Sequence, residues 1–305
     1  MLCTMAFPYL TDVIDYLLDV NWHLPLPTFG AIVAIALLMA THLAGQVVRG
    51  YEKLGRLPPL THRIVTDTVL VATLAGIVGA RIFDILDHLD RFLADPMSLL
   101  LTRNGFSIYG GLCFGILAGV IFVKRRAIPV MPMLDAVAPA LMLGYGIGRL
   151  GCQASGDGDW GIAANLLLKP SWLPEGLWAQ TYQGNIAGVT IAPPGVYPTP
   201  LYEFAMALGI FGLLWLLRNH RQRAGFLFSL YLLLAGFERV LIEKIRINVR
   251  FNVLGLHITQ AEAISLVLVI AGLLGVLVSL RTRRFWPKII VSAAVLGALS
   301  ACAPH

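Results

Sequence analysis

Residues 148–161 read Gly-Arg-Leu-Gly-Cys-Gln-Ala-Ser-Gly-Asp-Gly-Asp-Trp-Gly. Arg149 is a permanent cation at the end of a long apolar segment, and a glycine-rich acidic turn follows it. A charge near the bilayer core costs about 3 kcal/mol unless it is paired or solvated, so Arg149 calls for an anionic partner. The glycines leave room for a lipid headgroup to approach the backbone. Further along, Arg239, Glu243 and Arg246 fall at i, i+4 and i+7, which would set plus, minus and plus on one helical face. Two arginines from separate segments suit a bidentate grip on a phosphate. Ion pairs that merely hold helices together are the plainer reading. That reading stands beside function for Arg81 with Asp84 and for Asp135, whereas for Arg149 and Arg239 the phosphate grip is preferred.

Other residues could join such a site. Tyr109, before Gly110 and Gly111, offers a hydroxyl for a headgroup or for proton transfer, and an interfacial tyrosine is the alternative. Gly111, Gly115 and Gly119 are spaced by four, as are Gly144 and Gly148, a pattern that lets helices approach closely. Pro198-Thr199-Pro200-Leu201-Tyr202-Glu203 has the prolines of a helix start, and its glutamate can pair with or orient an arginine. Gln260 could contact substrate or cap a helix. The four cysteines form no CxxC pair and the seven histidines no HExxH, so neither a disulfide framework nor a zinc site is expected.

The elements that must position these residues are membrane helices. The chain has 305 residues, 57% hydrophobic and 13% charged, against roughly 25% charged in soluble domains. Apolar runs long enough to span hydrocarbon lie at residues 29–48, 65–86, 108–123, 131–151, 200–217, 226–245 and 261–280, with a shorter run at 289–302. The expected fold is an all-α polytopic membrane protein. It is a seven-helix bundle plus a short C-terminal eighth hydrophobic segment, with a small head region on the outer face of the membrane at residues 152–199. Residues 1–280 would form the membrane domain and 281–305 an extension. The N-terminal segment lacks the basic start of a cleavable signal.

The net charge of +6 does not point to nucleic acid, because the cations sit in short loops beside apolar segments. Arg49, Lys53, Arg56, Lys124, Arg125, Arg126, Arg218, Arg221, Arg223, Arg281, Arg283, Arg284 and Lys288 occupy alternate loops, which places those loops in the cytoplasm. The opposite loops carry Asp84, Asp87, Asp90 and Asp95, and the long head segment has Lys169 as its only basic residue. Lys244, Arg246 and Arg250 lie on the outer side against this rule, and such a misplaced cluster suits anionic lipid.

Taken in order, these motifs resemble the bacterial phosphatidylglycerol–prolipoprotein diacylglyceryl transferases. That family's Gly-Arg-x-Gly-Asn-x-x-x-Gly-Glu-x-x-Gly stretch is similar to residues 148–161. Its Pro-Ser-Gln-Leu-Tyr-Glu is similar to residues 198–203, and its Phe-Arg-x-x-Val-Glu-Phe-Phe-Arg to residues 238–246. Its Gly-Gly-Arg resembles Gly79-Ala80-Arg81, and its Gly-Gln-Ile-Leu-Ser resembles the stretch around Gln260. The likeness runs from about residue 29 to 280. It implies transfer of diacylglycerol from phosphatidylglycerol to the thiol of a lipobox cysteine at the outer leaflet of the bacterial inner membrane. Glycerol-1-phosphate is the leaving group and a thioether is formed. No metal or other cofactor is implied, and the partners are phosphatidylglycerol, prolipoprotein signal peptides and membrane lipids.

By the same resemblance, Arg149, Arg239 and Tyr109 would be catalytic. Arg81, Gly110, Gly111, Cys152, Asp157, Gly161, Tyr202, Glu203, Glu243, Arg246 and Gln260 would bind substrate. The chain departs from the family pattern in four places. Tyr109 stands where the family has a histidine, Cys152 where it has an asparagine, and Ala235 where it has a tyrosine. The acidic turn is one residue longer, so Asp157 is matched to the family glutamate, with Asp159 the other choice. A relative that binds the lipid or the precursor without turnover is the runner-up. A transporter is disfavoured because no inverted repeat is evident. Beyond the resemblance, residues 282–305 run from Arg283-Arg284 through an apolar stretch to Leu299-Ser300-Ala301-Cys302, the layout of a lipoprotein signal. Either a tethered substrate or a short extra helix would account for it.

Overall fold

The computed structural model describes residues 5–19, 26–95, 97, 107–219, 223–248, 250–253 and 256–281. The apolar tail ending at Cys302 lies outside them. Helix α1 (Leu10–Leu18) is followed by α2 (Thr28–Lys53), α3 (Val65–Asp87), the short α4 (Leu89–Ala94), α5 (Ile108–Arg125), α6 (Val130–Ser155), α7 (Thr199–Leu217) and α8 (Phe226–Glu243). An antiparallel hairpin, β1 (Arg250–Val253) and β2 (Leu256–Thr259), pairs Arg250 with Thr259 and leads into α9 (Gln260–Arg281). By length and composition, α2, the unit Thr61–Asp87, α5, α6, α7 and α9 can each cross a membrane. Helix α8 is as long as α5 but carries Glu238, Arg239 and Glu243. The chain is therefore a multi-pass helical membrane protein, as its composition predicts. Helix α1 and the hairpin were not anticipated.

Helix α6 is central, packing against α2, α7 and α8, while α3 pairs with α5 and α8 with α9. Its fully buried Ala136 and Ala138 keep the neighbouring helices close. The expected end of this span at residue 151 is corrected: the helix runs one turn further to Ser155, whose hydroxyl donates to the Gly151 carbonyl at 2.9 Å. Gly156 then ends it in the left-handed conformation at φ 62°, which glycine adopts without a Cβ penalty. Arg149 and Cys152 consequently share a helical face, with Nη1 3.9 Å from Sγ.

Asp135 receives a structural explanation. Its two oxygens accept from the backbone N–H groups of Gly225 at 2.6 Å and Phe228 at 2.8 Å. A carboxylate on α6 thereby caps the first turn of α8, where backbone donors lack intrahelical partners.

The head segment leaves α6 at Gly156 and returns at Pro198. Its small core is Trp160, Tyr182 and Val196, with Ala6 from the N-terminal segment. Gln153 at the end of α6 accepts from the Tyr182 hydroxyl at 2.8 Å and donates to Gln180 at 2.6 Å, fixing the head to the helix beneath it.

Candidate functional site

Four pieces of chain converge where α6 ends, α7 begins and α8 ends. The head strand at Gly161 lies between two others. Its N–H donates to the Tyr197 carbonyl at 2.8 Å, and Ile162 N–H donates to the Ile245 carbonyl at 2.8 Å. Gly161 and Arg246 form an antiparallel bridge. A Cβ at Gly161 would sit 2.6 Å from the Ile245 carbonyl oxygen and 2.9 Å from Thr199 Cγ2, so only glycine permits this three-way approach. The Thr199 hydroxyl donates to the Asp159 carbonyl at 2.5 Å and pins the strand to the start of α7.

This clamp assembles an ion-pair network around Glu203, whose side chain is fully buried in the first turns of α7. Arg149 Nε from α6 lies 3.0 Å from Glu203 Oε2, and Arg239 Nη1 from α8 lies 3.1 Å from Oε1. Arg246 Nη1 approaches Oε1 at 3.3 Å. The Arg149 contact is a charge contact without hydrogen-bond alignment, because Oε2 has no hydrogen-bond partner among the described residues. Arg239 also meets Glu243 one turn on, Nη2 to Oε2 at 3.1 Å. Asp159 closes the network at the head side: Oδ2 lies 2.5 Å from Arg149 Nη1 and Oδ1 2.5 Å from Arg246 Nη2.

Burial sorts these groups into layers. The Glu203 and Glu243 side chains are 0% and 1% exposed, whereas Arg149 and Arg239 keep 21% and 25% of theirs. The buried acids fix two cations that still present surface. Arg149 also lies over the Tyr145 ring, 5.0 Å from its centroid, a cation–π contact that restrains the guanidinium further.

Outside the membrane spans, the two aspartates of the acidic turn behave differently. Burial alone would raise the Asp159 carboxyl, but hydrogen bonds and charge from Arg246 and Arg149 outweigh it and hold it down at about 2. The Asp157 carboxyl is pushed up, first by burial and then by the charge of Asp159. Asp157 accepts the Asp159 backbone N–H at 3.3 Å. Between the two choices left by the sequence, the arginines pair with Asp159.

The expected site residues separate into three places. Arg149, Arg239, Glu203, Glu243, Arg246 and Gly161 come together, with Cys152 and Asp157 at the edge. Arg246 arrives by an unexpected route: α8 ends at Glu243, so Arg246 is no continuation of a helical face but the partner of the head strand. The Tyr202 hydroxyl donates to the Leu177 carbonyl at 2.9 Å and ties the head to α7.

Arg81, Tyr109, Gly110 and Gly111 belong to the α3–α5 pair. A Cβ on Gly110 would meet the Gly79 carbonyl oxygen at 2.2 Å, so these glycines serve helix contact. Arg81 pairs with Asp84 at 3.5 Å, and Tyr109 is 39% exposed at the start of α5. Gln260 is exposed at the start of α9, where Thr259 and Glu262 supply the reciprocal cap.

Two neighbours of the network were not singled out as site residues. Tyr145 places its hydroxyl 3.3 Å from each oxygen of the buried Glu238. An acid beside Arg239 and an aromatic one turn before Arg149 were the available signals. Cys152, Asp157 and Asp159 bring potential ligand atoms within 4.8 Å of one another. Each Asp159 oxygen already faces a guanidinium, so a cation there would have to displace one of them.

Comparison with known proteins bears on what this network does. The family model described as prolipoprotein diacylglyceryl transferase matches residues 16–278. A protein of Clostridium tetani named phosphatidylglycerol–prolipoprotein diacylglyceryl transferase is 30% identical over 247 residues, covering 80% of this chain and 90% of the relative. One of the same name from Leptospira interrogans is 30% identical over 274 residues, covering 81% and 80%. Another from Corynebacterium efficiens is 32% identical over 231 residues, covering 72% and 69%.

Proposed function

The chain belongs to the prolipoprotein diacylglyceryl transferase family, and from that premise we propose how its arginine network performs the reaction. The protein is a transferase that moves the diacylglyceryl group of phosphatidylglycerol to the lipobox cysteine thiol of prolipoproteins. The observation that carries the mechanism is the pair of partly exposed guanidiniums, Arg149 and Arg239, held from two helices by one buried carboxylate, Glu203.

The lipid phosphate sits against Arg149 and Arg239. As the thiolate attacks the terminal glyceryl carbon, a sulfur–carbon bond forms and the carbon–oxygen bond to phosphate breaks. The phosphodiester carries one negative charge and the departing glycerol phosphate gains a second. Guanidiniums fixed in advance stabilise that increase more than they stabilise the ground state, which lowers the barrier. Glu203 and Glu243 hold the geometry without touching the reacting atoms. Three arginines already face three carboxylates in Asp159, Glu203 and Glu243. The phosphate therefore enters by exchange with the most exposed of these acids, Asp159, at 30%.

The membrane is the bacterial inner membrane. The head lies on its periplasmic face and residues 1–280 form the transferase unit. The acidic loops and the head on one side, with the basic loops on the other, support this outward placement. Complementation of a strain depleted of its own transferase tests the function, with transfer to a lipobox peptide in vitro beside it. The native chain should rescue, and Arg149→Ala and Arg239→Ala should abolish rescue at equal expression. Rescue by both variants, or none by the native chain, would overturn the proposal.

A further inference from the structure

One buried acid stands apart from the network. Glu238 is 3% exposed, and its hydrogen-bond partner is a phenol, the Tyr145 hydroxyl at 3.3 Å from each oxygen. Glu203 and Glu243, equally buried, each meet a guanidinium within 3.1 Å. Among the described residues no cation pairs directly with Glu238, and Arg239 and Arg149 act on it only from a distance. A carboxylate withdrawn from water without a paired cation is costly, and an apolar side chain would fill the same space more cheaply. Helix packing therefore gives no reason for an acid at this position. Tyr145 supplies one. It is only partly buried, and its ring lies against the Arg149 guanidinium. The phenol thus joins the phosphate grip to the buried acid.

We propose that Tyr145 and Glu238 form the relay that takes the proton from the incoming cysteine thiol. This rests on the transferase reading above. The sulfur–hydrogen bond breaks and its proton passes to the Tyr145 oxygen, while the Tyr145 hydroxyl proton passes to the Glu238 carboxylate. The thiolate then attacks the glyceryl carbon. The proton on Glu238 returns through Tyr145 to the departing glycerol phosphate, so the net transfer is from thiol to phosphate. A phenol alone is a poor base at neutral pH because its ordinary pKa is about 10. In a relay it never becomes a free anion. The charged and titratable neighbours of Glu238 are Arg149 on α6, Glu203 on α7, and Arg239 and Tyr231 on its own helix.

The test uses the full chain in detergent with phosphatidylglycerol and a lipobox peptide. Turnover and KM are measured from about pH 6 to about pH 10, a range that spans the thiol's own ionisation. Glu238→Gln and Tyr145→Phe should each lower kcat by about 100-fold or more at neutral pH, the scale of a lost general base. KM for the lipid should stay within about threefold, since the arginines are untouched. Residual activity should climb with pH as solvent forms the thiolate, and Glu238→Asp should retain part of the rate.

A loss that is equal at every pH would mean a structural role and overturn the relay. So would a kcat within about threefold of native in both variants. If Glu238→Gln does not fold, Tyr145→Phe decides alone. Tyr109→Phe is the comparison: loss with alkaline recovery there, and none in the other two, would assign the proton to Tyr109 and end the proposal. A native chain without transfer would instead overturn the transferase reading itself.

Discussion

Glu203→Gln is the perturbation that tests the network as a unit. The native carboxylate is fully buried and faces Arg149, Arg239 and Arg246 at 3.0, 3.1 and 3.3 Å. Glutamine keeps the shape and an acceptor oxygen but deletes the charge, leaving three guanidiniums to face Asp159 and Glu243. Removing one partner of a buried pair costs about 3–5 kcal/mol. The retained acceptor argues for the lower end, about 3 kcal/mol. For a chain of this size that corresponds to a fall in melting temperature of about 6 °C. Thermal unfolding in detergent measures it, with transfer activity assayed well below the transition. Activity should fall more steeply than stability, because Arg149 and Arg239 lose the anchor that spaces them. A melting temperature within about 1 °C of native, or full transfer by a destabilised protein, would refute the idea that one buried acid sets both guanidiniums.

Two substitutions probe the frame around this acid. Gly161→Ala puts a Cβ against the Ile245 carbonyl at 2.6 Å. It should cost about 1–3 kcal/mol by overpacking and lower transfer by displacing Arg246, as read from unfolding and peptide lipidation. Asp135→Ala removes the acceptor for Gly225 and Phe228. It should cost about 1–2 kcal/mol, the scale of a lost helix cap. Hydrogen exchange should quicken at those two amides while kcat stays unchanged.

Much of the fold could be read from the chain because the bilayer imposes a coarse rule: long apolar runs must close their backbone hydrogen bonds internally as helices. The cost of a lone charge near hydrocarbon called for an anionic partner for Arg149, and Asp159 and Glu203 face it. What the sequence left open depended on contacts distant along the chain. Helix spacing carried Arg246 onto the face of α8, but the helix ends at Glu243 and a bridge to Gly161 brings Arg246 in instead. The motif match favoured Asp157 over Asp159, whereas the arginines pair with Asp159, which a head strand clamped by residues 197–199 and 245–246 carries to them. For the spaced glycines after Tyr109 helix contact was already the favoured reading, and the approach of α3 supplies the partner that spacing could not name. Asp135 was an intramembrane charge of uncertain purpose until its partners, about ninety residues away, were seen to be backbone donors.

The acid at the head side of the network gives a prediction whose sign can be worked out. Asp159 titrates at about 2 rather than near its ordinary 3.8, because Arg246 and Arg149 outweigh the effect of burial. A lowered carboxyl stabilises the fold fully above its ordinary value and loses that contribution as pH falls towards the folded value. The difference corresponds to about 2 kcal/mol. Comparing native protein with Asp159→Asn should therefore show a stability gap at neutral pH that closes between about pH 4 and about pH 2. The same variant removes the anion that competes for Arg149. Its weaker frame should lower kcat, yet glycerol phosphate should inhibit it at lower concentration than it inhibits the native enzyme, since no carboxylate has to leave first. A stability gap that stays open as pH falls to about 2 would mean that another group controls the head. An unchanged inhibition constant would mean that the phosphate reaches the arginines without passing through the place Asp159 holds.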